Sequence, residues 1–229
     1  MTAPAAPAAG YDDGPVVLAL LLAALAGWVD AAGLFGPGAV FVSFMSGNTT
    51  QGALAAAHHQ WPRVAEIVAV IFCFVAGVTL GEMLDRPFGR YGRSVVLTTE
   101  ALLLALAAWR LPLGLAGWGE CCVLASAMGL QNATMHKAGG VNVGLTYITG
   151  TLVQLGRGMA TLLGGGRDWR RVGRFVALWL CLAAGACGSG FAQLQSRPAT
   201  LYAAACTAAL LAAGCAMPGI RRRQRSAGV

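Results

Sequence analysis

The segment Val16–Phe35, VVLALLLAALAGWVDAAGLF, is an apolar run of 20 residues that contains a single charge, Asp30. A helix of this length rises about 30 Å, which matches the hydrocarbon core of a bilayer. Five further apolar runs have a similar character, at 64–84, 94–109, 115–135, 172–191 and 200–217. The sequence therefore predicts an all-α fold, a polytopic membrane helical bundle.

The composition agrees with this prediction and excludes other classes of protein. Only 11% of the 229 residues are Asp, Glu, Lys or Arg, whereas soluble domains carry about 25%. A soluble enzyme and a disordered chain are therefore excluded. The formal net charge is +7, but the basic residues form short clusters between apolar runs. This pattern is typical of topology determinants and does not favour nucleic-acid binding.

Two apolar segments, Ala39–Ala57 and Val143–Leu163, are interrupted by polar residues around a glycine, SGNT at 46–49 and TGT at 149–151. Ser, Thr and Asn cap helix N-termini, and glycine allows the backbone to approach closely. A helix that begins inside the membrane would offer free N–H groups to a small polar site. The alternative is close packing of small residues between helices. We expect each segment to be an interrupted or re-entrant helix.

The chain repeats these features in the same order. The string GWVDA at 27–31 resembles GLQNA at 129–133, and FMSGNT at 44–49 resembles YITGTL at 147–152. In both halves a basic turn, a glycine-bearing span and a last apolar span follow. The sequence predicts two repeats, 16–111 and 115–217, each with three spans and one interrupted helix. A disordered lead (1–15) and a basic cytoplasmic tail (218–229) flank this single membrane domain.

The distribution of basic residues predicts the topology. If both interrupted segments re-enter, six spans leave 13 basic residues on one side and three on the other, Arg63, Arg110 and Arg197. If both cross, eight spans divide the basic residues about 11 to 5. The six-span topology follows the positive-inside rule better and places both termini in the cytoplasm. An odd number of spans in each half makes the repeats inverted, an architecture typical of secondary transporters.

The polar residues of these motifs are candidate substrate-path residues. Asp30 and its match Asn132 stand inside spans, where polar groups face protein or water. The alternative is, for Asp30, a structural polar contact or a position at the far interface and, for Asn132, a hydrogen bond between helices. Glu100 is a weaker candidate, because it stands only six residues into its span and near the interface. The candidates are Asp30, Ser46, Gly47, Asn48, Thr49, Gln131, Asn132, Thr149, Gly150 and Thr151.

The strings FVSFMSGNT at 41–49 and GLQNA at 129–133 resemble the YoaK-like family of bacterial membrane proteins, a domain-of-unknown-function family. The resemblance covers about 20–221. It implies a polytopic protein of the bacterial cell (inner) membrane with about six spans, and it implies no substrate.

We therefore expect a small secondary transporter or channel-like permease for an unidentified small solute. The alternative is a non-transporting membrane scaffold or assembly partner. The sequence contains no catalytic motif, cofactor motif or metal-ligand spacing, so we expect no enzyme activity, no cofactor and no metal. The expected partners are the lipid bilayer and a small solute, without nucleic acid, and a homo-oligomer is left open.

Overall fold

The computed structural model describes residues 14–114, 117–135 and 148–217, and within these ranges it contains helices and no strand. A one-turn 3₁₀ helix, Gly89–Tyr91, precedes α4. Residues 1–13 of the predicted lead and the predicted basic tail lie outside the described residues. The eight α-helices of the described ranges are α1 (Gly14–Leu34), α2 (Met45–Ala57), α3 (Trp61–Asp85), α4 (Gly92–Arg110), α5 (Trp118–Met135), α6 (Ile148–Leu163), α7 (Trp169–Gln193) and α8 (Arg197–Ala216).

Five helices are long and apolar enough to cross a membrane: α1, α3, α4, α7 and α8. They correspond to five of the six predicted spans. The sixth, predicted at 115–135, corresponds to α5, whose 18 residues include the polar side chains Glu120, Gln131 and Asn132. The helices of the interrupted segments, α2 and α6, have 13 and 16 residues. Helices of these lengths rise about 20 and 24 Å, less than the thickness of the hydrocarbon core.

The outer surface of the bundle is apolar. Large hydrophobic side chains are exposed on the long helices, among them Phe72, which is 69% exposed, and Leu210, which is 74% exposed. A water-exposed surface of this kind would be unfavourable, whereas lipid solvates it. Together with the five long apolar helices, this surface is that of an integral membrane protein.

Helices α1 and α7 cross with their backbones in contact. Gly27 lies against a backbone carbonyl of α7, and Gly185 lies against one of α1, so neither position has room for a Cβ. Small residues allow such close approach between membrane helices. One turn farther along α7, Gly188 lies under the Trp28 ring. Because the contacts advance along both helices together, α1 and α7 run in the same direction.

Helices α3 and α5 cross in a similar way. Gly77 lies against a backbone carbonyl of α5, and Gly129 lies against one of α3. One turn farther along both helices, a Cβ at Gly81 would lie 2.6 Å from the Cβ of Ala133. The two helices therefore also run in the same direction.

Other contacts show which helix ends lie together. The turn that follows α1 meets the start of α5, because a Cβ at Gly38 would lie 2.8 Å from Cys121 Sγ. The start of α4 meets the end of α8, where Ser94 Oγ donates to the Ala212 carbonyl at 2.8 Å. Helices α1 and α5 are therefore antiparallel, and so are α4 and α8.

Candidate functional site

The segment between α1 and α2 has no regular secondary structure from Ala39 to Phe44 and enters the apolar core. Val40 and Val42 are buried there among residues of α1 and α5. An irregular backbone inside a membrane must have its polar groups satisfied by protein or by water. Asp30 and Asn48, two of the predicted site residues, do this for the buried part of the segment.

Asp30 binds the segment from the side of α1. Its Oδ1 accepts hydrogen bonds from the backbone N–H groups of Val42 and Ser43, each at 2.8 Å. Its Oδ2 accepts a third bond, from the Ser43 hydroxyl. A carboxylate that accepts from two amides and a hydroxyl is a strong anchor, because bonds to a charged acceptor are stronger than neutral ones. The structure therefore gives Asp30 a structural contact, the alternative that the sequence left open.

Asn48 binds the same segment from the side of α2. Its side chain has no exposed surface; Oδ1 accepts from the Phe41 N–H at 3.1 Å, and Nδ2 donates to the Phe41 carbonyl at 2.6 Å. The expectation that the polar residues of this motif cap the helix is wrong: no side chain caps α2. Thr49 instead donates its hydroxyl to the Met45 carbonyl one turn back.

The start of α2 lies deep in the bundle. Gly52 packs against Ile67 of α3, and only a short turn joins the two antiparallel helices. Counting back from this contact places Met45 beside the middle of α3, and Met45 indeed packs against the main apolar core. Ser46 and Thr49 are exposed at this level, and Gly47 fits against the Phe44 ring.

In the second half, the predicted residues Gln131 and Asn132 lie on α5. Gln131 is 1% exposed, and its Nε2 donates to the Leu22 carbonyl of α1 at 2.6 Å. Asn132 donates from Nδ2 to the Met128 carbonyl of its own helix at 2.8 Å. Gln131 thus connects the two halves.

The remaining predicted residues lie in the first turn of α6. Thr149 is exposed, Gly150 is half-buried and Thr151 is buried. Residues 136–147 precede α6 and lie outside the described residues. The meeting of the two polar segments near the middle of the membrane therefore stays a prediction.

The structure buries an acid that the sequence placed near an interface. Glu100 has no exposed surface, and neither of its carboxylate oxygens has a hydrogen-bond partner among the described residues. The neighbouring Leu97 and Leu104 are also fully buried. The spacing of three and four residues places all three side chains on one face of α4. This periodicity was the available signal that Glu100 faces the protein interior.

A second acid that the sequence did not single out forms an ion pair at one end of the bundle. Glu120 Oε1 and Arg197 Nη2 are 2.6 Å apart, and the Glu120 side chain is fully buried. The end of α4 brings Arg110 close to the same carboxylate. Arg63 donates to the Ala39 carbonyl at 3.2 Å, also near this end. The ion pair joins α5 to α8.

Comparison with known proteins agrees with this architecture. Residues 18–214 match the protein family of unknown function DUF1275. The chain is also similar to UPF0700 transmembrane protein RA0705 of Rhizobium meliloti (strain 1021), with 32% identity over 200 residues, 86% of this chain and 84% of that protein. No solved structure matches the chain. The protein is therefore an integral membrane protein that belongs to the DUF1275 family, in agreement with the YoaK-like resemblance of its motifs.

Proposed function

We propose that this protein is a small secondary transporter or channel-like permease for a small solute. The observation that carries the proposal is the short helix α2, which begins beside the middle of α3. Helices that begin inside the membrane are typical of transporter binding sites, where their amides face polar groups of the substrate. The exposed residues Ser46 and Thr49 lie within the first five residues of this helix.

The pattern of helix packing supports the inverted repeat on which the proposal also rests. If the helices α1, α2, α3 and α4 are exchanged with α5, α6, α7 and α8, in that order, the set of packed helix pairs is unchanged. The exchange turns α1–α7 into α5–α3, α2–α3 into α6–α7, α4–α5 into α8–α1, and α3–α4 into α7–α8, all of which are packed pairs. The exchange converts the α4–α8 pair into itself, and it does the same to the α1–α5 pair.

The glycine crossings follow the same exchange. Gly27 contacts the carbonyl of the residue three positions before Gly185, and Gly129 contacts the carbonyl three positions before Gly77. These are the positions that an exchange of the two halves would relate. Because α1 and α5 are antiparallel, the exchange also reverses direction across the membrane. An inverted repeat accounts for both observations.

The basic residues support the six-span topology. The end of the bundle that holds the Glu120–Arg197 pair also holds Arg63 and Arg110. These are the three basic residues that the six-span count places opposite the cytoplasm. We propose that this end faces away from the cytoplasm and that Arg90, at the other end, faces it.

The second candidate function, a non-transporting scaffold or assembly partner, is favoured by a different observation. Asp30, Asn48 and Gln131 each hydrogen-bond to backbone groups. Polar residues used in this way stabilise the fold and need no aqueous path. The two functions differ in whether water reaches the start of α2.

Cysteine accessibility tests the proposal. In a cysteine-free background, Ser46→Cys and Thr49→Cys would be treated in intact membranes with a charged, membrane-impermeant methanethiosulfonate. A transport path predicts rapid labelling of both positions, whereas the control Phe72→Cys, which faces lipid, stays unlabelled. Labelling of Ser46→Cys and Thr49→Cys as slow as that of Phe72→Cys would exclude the path and leave the scaffold. Labelling of Arg90→Cys from outside intact cells would contradict the six-span orientation.

A further inference from the structure

Glu100 is a buried acid to which the described contacts give no structural role. It stands near the middle of α4, without exposed surface, and both carboxylate oxygens lack a partner in the described part of the chain. Its surroundings are apolar and include Leu97, Ala101 and Leu104, all buried. Asp30 contrasts with it, because three donors surround that carboxylate.

Among the described residues, no charged group pairs with Glu100. Helix α4 packs against α3, α5, α8 and the 3₁₀ turn, and Leu97 also packs against α1. No group on the described parts of these elements forms a hydrogen bond with the Glu100 carboxyl. Apart from Asp30, the charged side chains of these elements lie near the helix ends: Arg63, Glu66, Arg110, Glu120 and Arg197 at one, and Glu82, Asp85, Arg90 and Arg93 at the other. The remaining titratable side chains of these elements are thiols and phenols: Cys73, Tyr91, Cys121, Cys122, Tyr202, Cys206 and Cys215.

An ionised carboxylate in such a place is very unfavourable. Transfer of an isolated carboxylate into a medium of low dielectric is so strongly opposed in the Born treatment that the group takes up a proton instead. A bound metal ion would need several oxygen ligands. The described residues contain no group of three or more His, Cys, Asp or Glu side chains that could hold one. A proton is the ligand that fits a lone buried carboxyl.

A protonated Glu100 is a hydrogen-bond donor, and an unused acceptor is present on a neighbouring helix. Gln131 of α5 is 1% exposed, and its Oε1 has no partner among the described residues. Helix α5 packs against α4. Gln131 donates to the Leu22 carbonyl, and Leu22 shares an apolar cluster with Leu97, one turn before Glu100. Protonation therefore adds a donor to a helix whose neighbour carries an unsatisfied acceptor.

We propose that Glu100 is an exchangeable proton-binding site, protonated in the described arrangement and deprotonated when the helices around α4 admit water. Binding forms one O–H bond, with the proton taken from water, and release returns the proton to water. The role of this site in coupling proton movement to a solute rests on the proposed transport function. Proton binding itself does not.

Infrared spectroscopy of the purified protein tests the site without a substrate. A protonated carboxylic acid has a C=O stretching band separate from the carboxylate and amide bands. We expect this band at neutral pH, a shift in deuterated water, and its loss at alkaline pH. Glu100→Gln should lose the band completely, whereas the matched variants Glu120→Gln and Asp30→Asn should keep it.

Each result decides the proposal. Absence of the band at neutral pH, or its survival in Glu100→Gln, would overturn it. A band that neither shifts in deuterated water nor disappears at alkaline pH would also overturn it, because the proton would then be permanent. If Glu100→Gln fails to fold, Glu100→Asp replaces it and should move the band. Labelling of Ser46→Cys together with a non-exchanging Glu100 would leave a transport path without a proton site, so the two proposals can fail separately.

Discussion

Asp30 on α1 and Glu100 on α4 are both acids within membrane-crossing helices, but their surroundings differ in one respect. Asp30 lies beside an irregular segment whose amides need acceptors, and it receives three hydrogen bonds. Glu100 lies among helices whose amides are used within the helices, and it receives none from the described residues. The backbone around each acid therefore decides whether its carboxyl has hydrogen-bond partners, while a part of Asp30 in a substrate path stays a prediction.

The largest expected effect is that of Asp30→Ala. The substitution leaves the amides of Val42 and Ser43 without an acceptor inside the membrane, and each unsatisfied buried donor destabilises by about 1–3 kcal/mol. We expect a loss of about 3 kcal/mol or more in the free energy of unfolding, measured by thermal unfolding in detergent. Asp30→Asn keeps one acceptor oxygen and should lose about half as much. Equal stability of the two variants would contradict the role given to Asp30.

A somewhat smaller effect is expected for Gly47→Leu, in the helix that follows the segment anchored by Asp30. A side chain at position 47 would collide with the Phe44 ring, and overpacking destabilises by about 1–3 kcal/mol. The matched control is Gly214→Leu on α8, where a Cβ meets nothing within 4 Å. Yields of monodisperse protein compare the two. Similar yields would show that the start of α2 is not tightly packed.

Ser43→Ala should have a smaller effect, because it removes one of the three hydrogen bonds to Asp30 and leaves the two amide bonds. We expect a loss of about 1–2 kcal/mol, measured as for Asp30→Ala. In the double variant with Asp30→Ala, the effect of Ser43→Ala should disappear, since its partner is already missing. Additive losses would indicate that Ser43 has another role.

The smallest effect is expected for Glu100→Gln. Because Glu100 has no hydrogen bond to lose among the described residues, the free energy of unfolding should change by less than about 1 kcal/mol. Glu100→Met, of similar volume, should be neutral or stabilising, since it removes a polar group without a described partner from an apolar site. A loss as large as that of Asp30→Ala would mean that Glu100 has a structural partner, and the contrast between the two acids would be lost.

Much of the fold could be predicted from local sequence. Apolar runs gave five of the long helices, and the Ser46–Thr49 motif marked the interruption before α2. The importance of Asp30 was also predictable, because an intramembrane charge needs a partner. Its role was not, since the partners are backbone amides of Val42 and Ser43, whose positions depend on how the chain turns after α1.

Other features depend on contacts distant in sequence. Glu100 stands only six residues into the predicted span, but near the middle of α4, and its burial results from the packing of other helices around it. The span predicted at 115–135 is less apolar than the others because it contains Glu120 and Gln131. These residues can be buried because they pair with Arg197 and with the Leu22 carbonyl. A hydropathy scale gives each residue a value without considering its partner. It therefore predicts that such polar residues are exposed when they are in fact buried.

The pairing of α1 with helices from the other end of the chain has a consequence for biosynthesis. Trp28 Nε1 donates to the Thr200 carbonyl at 2.9 Å, across a separation of 172 residues. During translation α1 is made before α7, so its glycine face has no partner until α7 has been made. The first four helices are therefore inserted while some of their faces have no protein partner. Their tertiary assembly has to follow the synthesis of the later helices. A ribosome that stops after α4 would leave a nascent chain for quality-control proteases, not half of a folded protein.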